Sequence, residues 1–167
     1  MRRAPGRPTE ARVQLAHGVR RAAIGRSGIK ALKREGDGAT PLGAHRIREV
    51  LYRPDRRMRP QNLLPLRRIG ARDGWCDDPQ DRNYNRPVRL PYGKRTESMK
   101  RDDALYDVVM VLGYNDRPRI KGRGSAIFIH LAREGFTPTE GCIAFSRNDM
   151  RAVLNELMAR STFLVAR

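Results

Sequence analysis

The chain has 167 residues, of which 39% are hydrophobic and 32% charged. That suits one domain with its own core and excludes disorder throughout. The formal net charge of +17 rests on thirty Arg and five Lys, so polyanions are candidate partners, but aromatics at 6% are too few for a base-stacking platform.

Met1 to Glu10 is basic and contains two prolines; it reads as a flexible tail ahead of a single domain over 11–167. It has no continuous apolar stretch of the kind a secretion signal uses, and no apolar run in the chain approaches a membrane span. Val13–Leu15 and Ala22–Ile24, separated by Gly18, predict a hairpin or two short strands. Glycines and a proline between Gly36 and Gly43 mark a tight loop, and Ala44–Tyr52 follows as a strand. Arg53 to Arg101 has little periodicity and many prolines, arginines and asparagines. A stretch that long is expected to cover one side of the fold and to contain short strands, with Val88–Leu90 a candidate.

The second half is more regular. Leu105–Leu112 (LYDVVMVL) reads as a buried strand by its β-branched content, followed by a turn at Asn115–Pro118. Ser125–His130 and Gly141–Phe145 are further strands. Ser146, three residues before Asp149, is an N-cap candidate. Met150, Val153, Leu154, Leu157 and Met158 then predict an amphipathic helix over about Asn148–Arg160, and Thr162–Ala166 closes the chain as a strand. The expected fold is mainly β with one C-terminal helix.

The stretch FIHLAREGFTPTEGCIAF, Phe128 to Phe145, carries the chemistry. A thiol must lose its proton to attack a carbonyl well, and a neighbouring histidine takes that proton and later delivers it to a leaving amine. His130 ends one expected strand and Cys142 begins the next; were the strands neighbours, those ends would meet at one edge of the sheet. Gly141 leaves the backbone open to substrate, so that N–H groups around Gly141 and Cys142 would hold an oxyanion, and Thr139 would hydrogen-bond within the loop. Spacing alone leaves a second reading open, in which Cys142 is a small core residue and His130 an ordinary strand-end histidine.

Other residues divide between the same readings. Cys76, beside Trp75, is expected as a loop cysteine packed on the tryptophan. A single disulfide between Cys76 and Cys142 would suit an oxidising compartment and would consume the candidate nucleophile. A mixed zinc site from Cys76, Cys142, His45 and His130 has no ligand spacing to recommend it. Tyr84 and Asn85 are polar loop residues that would line a cleft, and Arg123 or Arg86 would meet a carboxylate. His45 reads as an ordinary strand residue.

His130, then Thr139, Gly141, Cys142 and Ile143 in TEGCIAF, resemble the active-site pattern of L,D-transpeptidases of the YkuD type. GDGATPLG, Gly36 to Gly43, is similar to the Thr-Pro-x-Gly loop near the start of such domains, and GWCDDPQDRNYNRPV, Gly74 to Val88, to a segment of short bacterial members. The resemblance spans Gly25 to Arg167. Two positions depart from it: the usual histidine before the glycine is Glu140, and the usual arginine two residues after the cysteine is Ala144. The loop between His130 and Cys142 is also short for the family.

The resemblance implies a YkuD-like β-sandwich with a Cys/His cleft and a cysteine acyltransferase that needs no metal or organic cofactor. Cys142 would be the nucleophile, His130 base and then acid, and Gly141 part of the oxyanion hole. Thr139, Tyr84, Asn85 and Arg123 would contact peptidoglycan stem peptides. It implies a monomer in the periplasm or cell envelope, although the visible N-terminus leaves the cytoplasm open. Two alternatives remain: an L,D-carboxypeptidase on the same fold, or a non-enzymatic basic protein that binds nucleic acid or anionic wall polymer.

Overall fold

The computed structural model describes residues 1–56, 58–61 and 63–166; Arg57, Asn62 and Arg167, inside the expected domain, lie outside the described residues. In chain order the strands are β1 (Arg2–Ala4), β2 (Arg7–Leu15), β3 (Gly18–Ala23), β4 (Ile29–Lys30), β5 (Thr40–Pro41), β6 (Gly43–Tyr52) and β7 (Leu66–Arg68). After them come β8 (Asp73–Cys76), β9 (Arg86–Arg89), β10 (Thr96–Ser98), β11 (Val108–Leu112), β12 (Phe128–Leu131) and β13 (Ile143–Phe145). The helix α1 (Arg147–Asn155) and β14 (Thr162–Val165) complete the chain. The fold is mainly β with one helix near the C-terminus.

The main sheet runs in the order β1-β2-β3-β13-β12-β11-β6-β14, with β7 beside β6. Its two ends meet. The Met1 N–H group donates to the Leu164 carbonyl at 2.7 Å, and Ala166 N–H donates to the Met1 carbonyl at 2.9 Å. The sheet therefore curls around the larger core cluster, which holds Met110, Ile129, Ile143, Phe145 and the buried face of α1. All five residues of β11 and all four of β12 are buried, because both faces of these strands are covered. Val108, Met110 and Leu112 enter the larger core. Val109, Val111 and Phe128 enter a second cluster with Trp75, Met99 and Tyr106.

That second cluster lies under the small antiparallel sheet β10-β8-β9. The Arg53–Arg101 stretch thus covers one side of the fold with short strands, as its irregular composition predicts. The Trp75 ring meets Phe128 edge-on, with centroids 5.1 Å apart.

Two expectations need correction. The first ten residues are not a loose tail: they form β1 and the start of β2. Ala4, Ala11 and Val13 are buried, while alternate arginines point outward, so an edge built on small residues does not look like a strand. The helix is also shorter than its apolar period suggests. Its N-cap is Ser146, which accepts from Asp149 N–H, but it stops at Asn155. The Glu156 carboxylate turns back to accept from Ala16 and His17 N–H at 3.0 and 3.4 Å, which leaves Met158 exposed.

Candidate active site

Strands β12 and β13 pair in parallel, with Ile129 beside Ile143 and His130 beside Ala144. This differs from a meeting of adjoining strand ends. In a parallel pair the end of one strand lies beyond the start of the next, so Cys142 falls level with Phe128, one pleat repeat before His130. The alternation of side chains puts Phe128, His130, Cys142 and Ala144 on the same face, under β8–β10.

Both candidate residues line a cleft of about 470 Å³. Its walls include Lys33, Glu35, Glu97, Arg101, Tyr106 and Thr139. The Cys142 thiol donates to the Ala126 carbonyl at 3.2 Å, and its sulfur accepts from Phe128 N–H at 3.4 Å. Burial, with the Glu97 carboxylate adding to it, pushes the thiol up to about 12, so at neutral pH it carries its proton.

The tautomer of His130 follows from its partner. Nδ1 lies 2.8 Å from the Leu131 carbonyl, and a carbonyl only accepts. Nδ1 therefore carries the hydrogen and Nε2 keeps a lone pair. Burial lowers the imidazole to about 4, so it too is neutral at pH 7. The Tyr106 ring packs edge-on against it at 5.4 Å, and Tyr106 donates its hydroxyl to Glu97 at 2.5 Å. A neutral thiol and a neutral imidazole with a free lone pair thus share one cleft wall.

The loop into Cys142 is clamped by two threonines. Thr139 Oγ1 accepts from Gly141 N–H at 3.1 Å and donates to the Cys142 carbonyl at 2.6 Å. Thr40, from the Thr-Pro-x-Gly loop, donates to the Gly141 carbonyl at 3.0 Å. Gly141 has φ +133°, and a Cβ there would sit 2.7 Å from the Ala39 carbonyl oxygen. Glycine is required, but its N–H is already spent on Thr139. The expected oxyanion donor at Gly141 is therefore occupied, whereas the N–H of Cys142 has no protein acceptor among the described residues.

Of the expected substrate contacts, only Thr139 lines the cleft. Tyr84 is buried and donates to Glu35 at 2.5 Å while accepting from Gly124 N–H. Asn85 is buried as well. It accepts from Trp75 Nε1 and Ala126 N–H and donates to the carbonyls of Tyr114 and Asn115, so both residues are satisfied inside the fold. Arg123 lies in a separate shallow groove with Leu32, Arg34 and Lys121.

Cys76 is the last residue of β8 rather than a loop cysteine, and both cysteines are free thiols. Among the described residues no group of His, Cys, Asp and Glu gathers to hold a metal. His45 is buried on β6 and its Nε2 donates to the Pro41 carbonyl at 3.1 Å. Lys33, Glu97, Arg101 and Tyr106 reach the cleft from segments in which no motif singled them out.

Among the described residues no helix is long and apolar enough to cross a membrane. Comparison with curated proteins and with solved structures gives no match. A family model for the YkuD L,D-transpeptidase catalytic domain matches residues 10–165, and the chain belongs to that family.

Proposed function

We propose that the protein is a cysteine-dependent L,D-transpeptidase that acts on peptidoglycan stem peptides. The observation that carries this is the shared cleft wall of Cys142 and His130, with Nδ1 of His130 tied to Leu131 and Nε2 left as a lone pair. The Cys142 sulfur attacks the carbonyl carbon of the scissile amide as its proton passes to Nε2. The carbonyl electron pair moves to oxygen, where the Cys142 N–H donates to it. Collapse breaks the C–N bond, and the departing amine takes the proton from Nε2. A thioester remains on Cys142. An acceptor amine then attacks it, gives a proton to His130, and restores the thiol as the new amide forms; water in place of the amine gives hydrolysis.

Because both groups start neutral, proton transfer accompanies attack rather than preceding it. The family relationship supports the envelope as the place of action, where stem peptides are found. The test is intact-protein mass after incubation with a carbapenem. One adduct is expected on the parent protein, none on Cys142→Ala, and slow formation on His130→Asn. A folded, reduced parent that takes no adduct overturns the reading.

A further inference from the structure

Lys33 is 3% exposed, yet it lines the cleft beside Cys142. Its ammonium donates to Asp37 Oδ1 at 2.9 Å and to the Arg34 carbonyl at 3.3 Å. An ammonium has three donors, and the third has no protein acceptor among the described residues.

The surrounding backbone makes room for this side chain. A Cβ at Gly141 would lie 3.3 Å from Lys33 Nζ, and one at Gly124 would lie 2.9 Å from Lys33 Cε. Both glycines have positive φ, +133° and +103°. The lysine stem is thus flanked by two glycines, one of which immediately precedes the thiol.

The surrounding loop does not depend on this cation. Asp37 accepts from Arg34 and Ala39 N–H, each at 2.9 Å, and so holds the turn by itself. A buried ion pair is often replaced by apolar residues without loss of stability. The oxyanion side of Cys142, by contrast, has the Cys142 N–H but no second donor from Gly141, whose N–H is bound to Thr139.

We propose that the Lys33 ammonium is a catalytic cation of this site, stabilising the negative charge that develops on the Cys142 sulfur and on the carbonyl oxygen of the bound amide during attack. This rests on Cys142 being the nucleophile. Lys33 keeps its proton throughout; the thiol proton goes to His130 Nε2. The arrangement is a buried fixed charge beside the developing charge, and a preorganised donor held out of water is effective there. The same cation eases ionisation of the thiol against burial and Glu97. Other charged or titratable groups lining the cleft are Glu35 before β5, Asp77 after β8, Arg95 and Glu97 at β10, Arg101 and Tyr106 ahead of β11, His130 of β12, and Arg133 and Glu140 of the crossover.

The test compares the parent protein, Cys142→Ala, Lys33→Met and the double variant Lys33→Met/Asp37→Asn. The double variant removes both charges, so that none is left unpaired, and the amide oxygen of the new asparagine still accepts in the turn that Asp37 holds. Carbapenem acylation is followed by mass as a function of carbapenem concentration, and iodoacetamide alkylation of Cys142 as a function of pH. In the folded double variant the limiting acylation rate should fall about a hundredfold with little change in half-saturating concentration, and the alkylation profile should move to higher pH. A folded double variant that acylates at the parent rate, or whose alkylation profile does not move, overturns the role of Lys33 and leaves Cys142 as nucleophile. A parent that does not acylate, or a Cys142→Ala protein that does, overturns both.

Discussion

His130 donates its Nδ1 hydrogen to the carbonyl of the next residue, Leu131, at 2.8 Å. This short contact sets the tautomer and holds the ring against Tyr106. Asparagine places an amide nitrogen where Nδ1 stands, so His130→Asn keeps the donation to Leu131 and loses only the lone pair at Nε2. Its melting temperature should stay close to the parent's. Its acylation by a carbapenem should slow by about a hundredfold or more, the usual scale of a positioned base. Equal acylation rates in the two proteins would remove His130 from the mechanism.

Acid should destabilise the fold through the same residue. Folding lowers His130 from 6.5 to about 4 because burial disfavours the charged ring. Below pH 6.5 the unfolded chain binds a proton that the folded chain refuses. The stability tied to His130 is therefore present above pH 6.5 and is lost as pH falls towards 4, by about 3 kcal/mol in all. His45 is shifted in the same direction by burial and steepens the acid limb. Urea melts at pH 7 and pH 4.5 should show the parent losing more stability than His130→Asn; parallel losses would contradict the assignment.

Asn85 joins β9 and its neighbours to the turn after β11 through four hydrogen bonds, to Trp75, Ala126, Tyr114 and Asn115. Asn85→Ala leaves these buried partners unmatched and should cost about 3 kcal/mol or more. The loss should appear in denaturant melts. At a temperature where the variant is folded, the carbapenem concentration giving half-maximal acylation should match the parent's. A stable variant with weakened carbapenem binding would instead make Asn85 a substrate contact.

These outcomes reflect what local pattern can and cannot carry. The run VVMVL reads as a buried strand because both faces of β11 are covered, and Ser146 reads as a cap because the N-cap geometry is local. The His130–Cys142 pair is visible through the motif around it. The parallel sense of β12 and β13 is not, since strand pairing leaves no mark on either strand alone. Lys33, Glu97 and Tyr106 reach the cleft from segments remote in sequence from Cys142, and no period links them. Tyr84 and Asn85 look like cleft residues because a polar side chain in a loop does not announce whether its partners lie in solvent or in the core. The strand β1 and the first part of β2 escape notice because arginine covers their outward faces and small residues fill the inward ones, whereas the end of β2, Val13–Leu15, reads as a strand.

Ser146 accepts from Asp149 N–H at 3.1 Å and donates its hydroxyl to the Asp149 carboxylate at 2.8 Å. Ser146→Ala removes both bonds at the start of the only α-helix among the described residues. The expected loss is about 1 kcal/mol, readable in a urea melt. Ser146→Asp should recover less than Ser146→Asn, because a second carboxylate would face Asp149. Equal stability of the alanine variant and the parent would mean that packing of Met150, Val153 and Leu154 alone sets the helix start.

Gly141 is where fold and chemistry constrain the same atoms. Its φ of +133° is strained for any side chain, and a Cβ would press to 2.7 Å against the Ala39 carbonyl oxygen. That oxygen belongs to the backbone of the Thr40 loop and cannot swing away as a side-chain tip would. Gly141→Ala should therefore cost about 2 kcal/mol or more in stability. It should also push apart the Thr139 hydrogen bond to the Cys142 carbonyl and the Thr40 hydrogen bond to the Gly141 carbonyl. Acylation should fall in protein shown to be folded by its melt, because the thiol and the Cys142 N–H would shift within the cleft. A folded Gly141→Ala protein with the parent's acylation rate would show that the clamp on this loop serves stability alone.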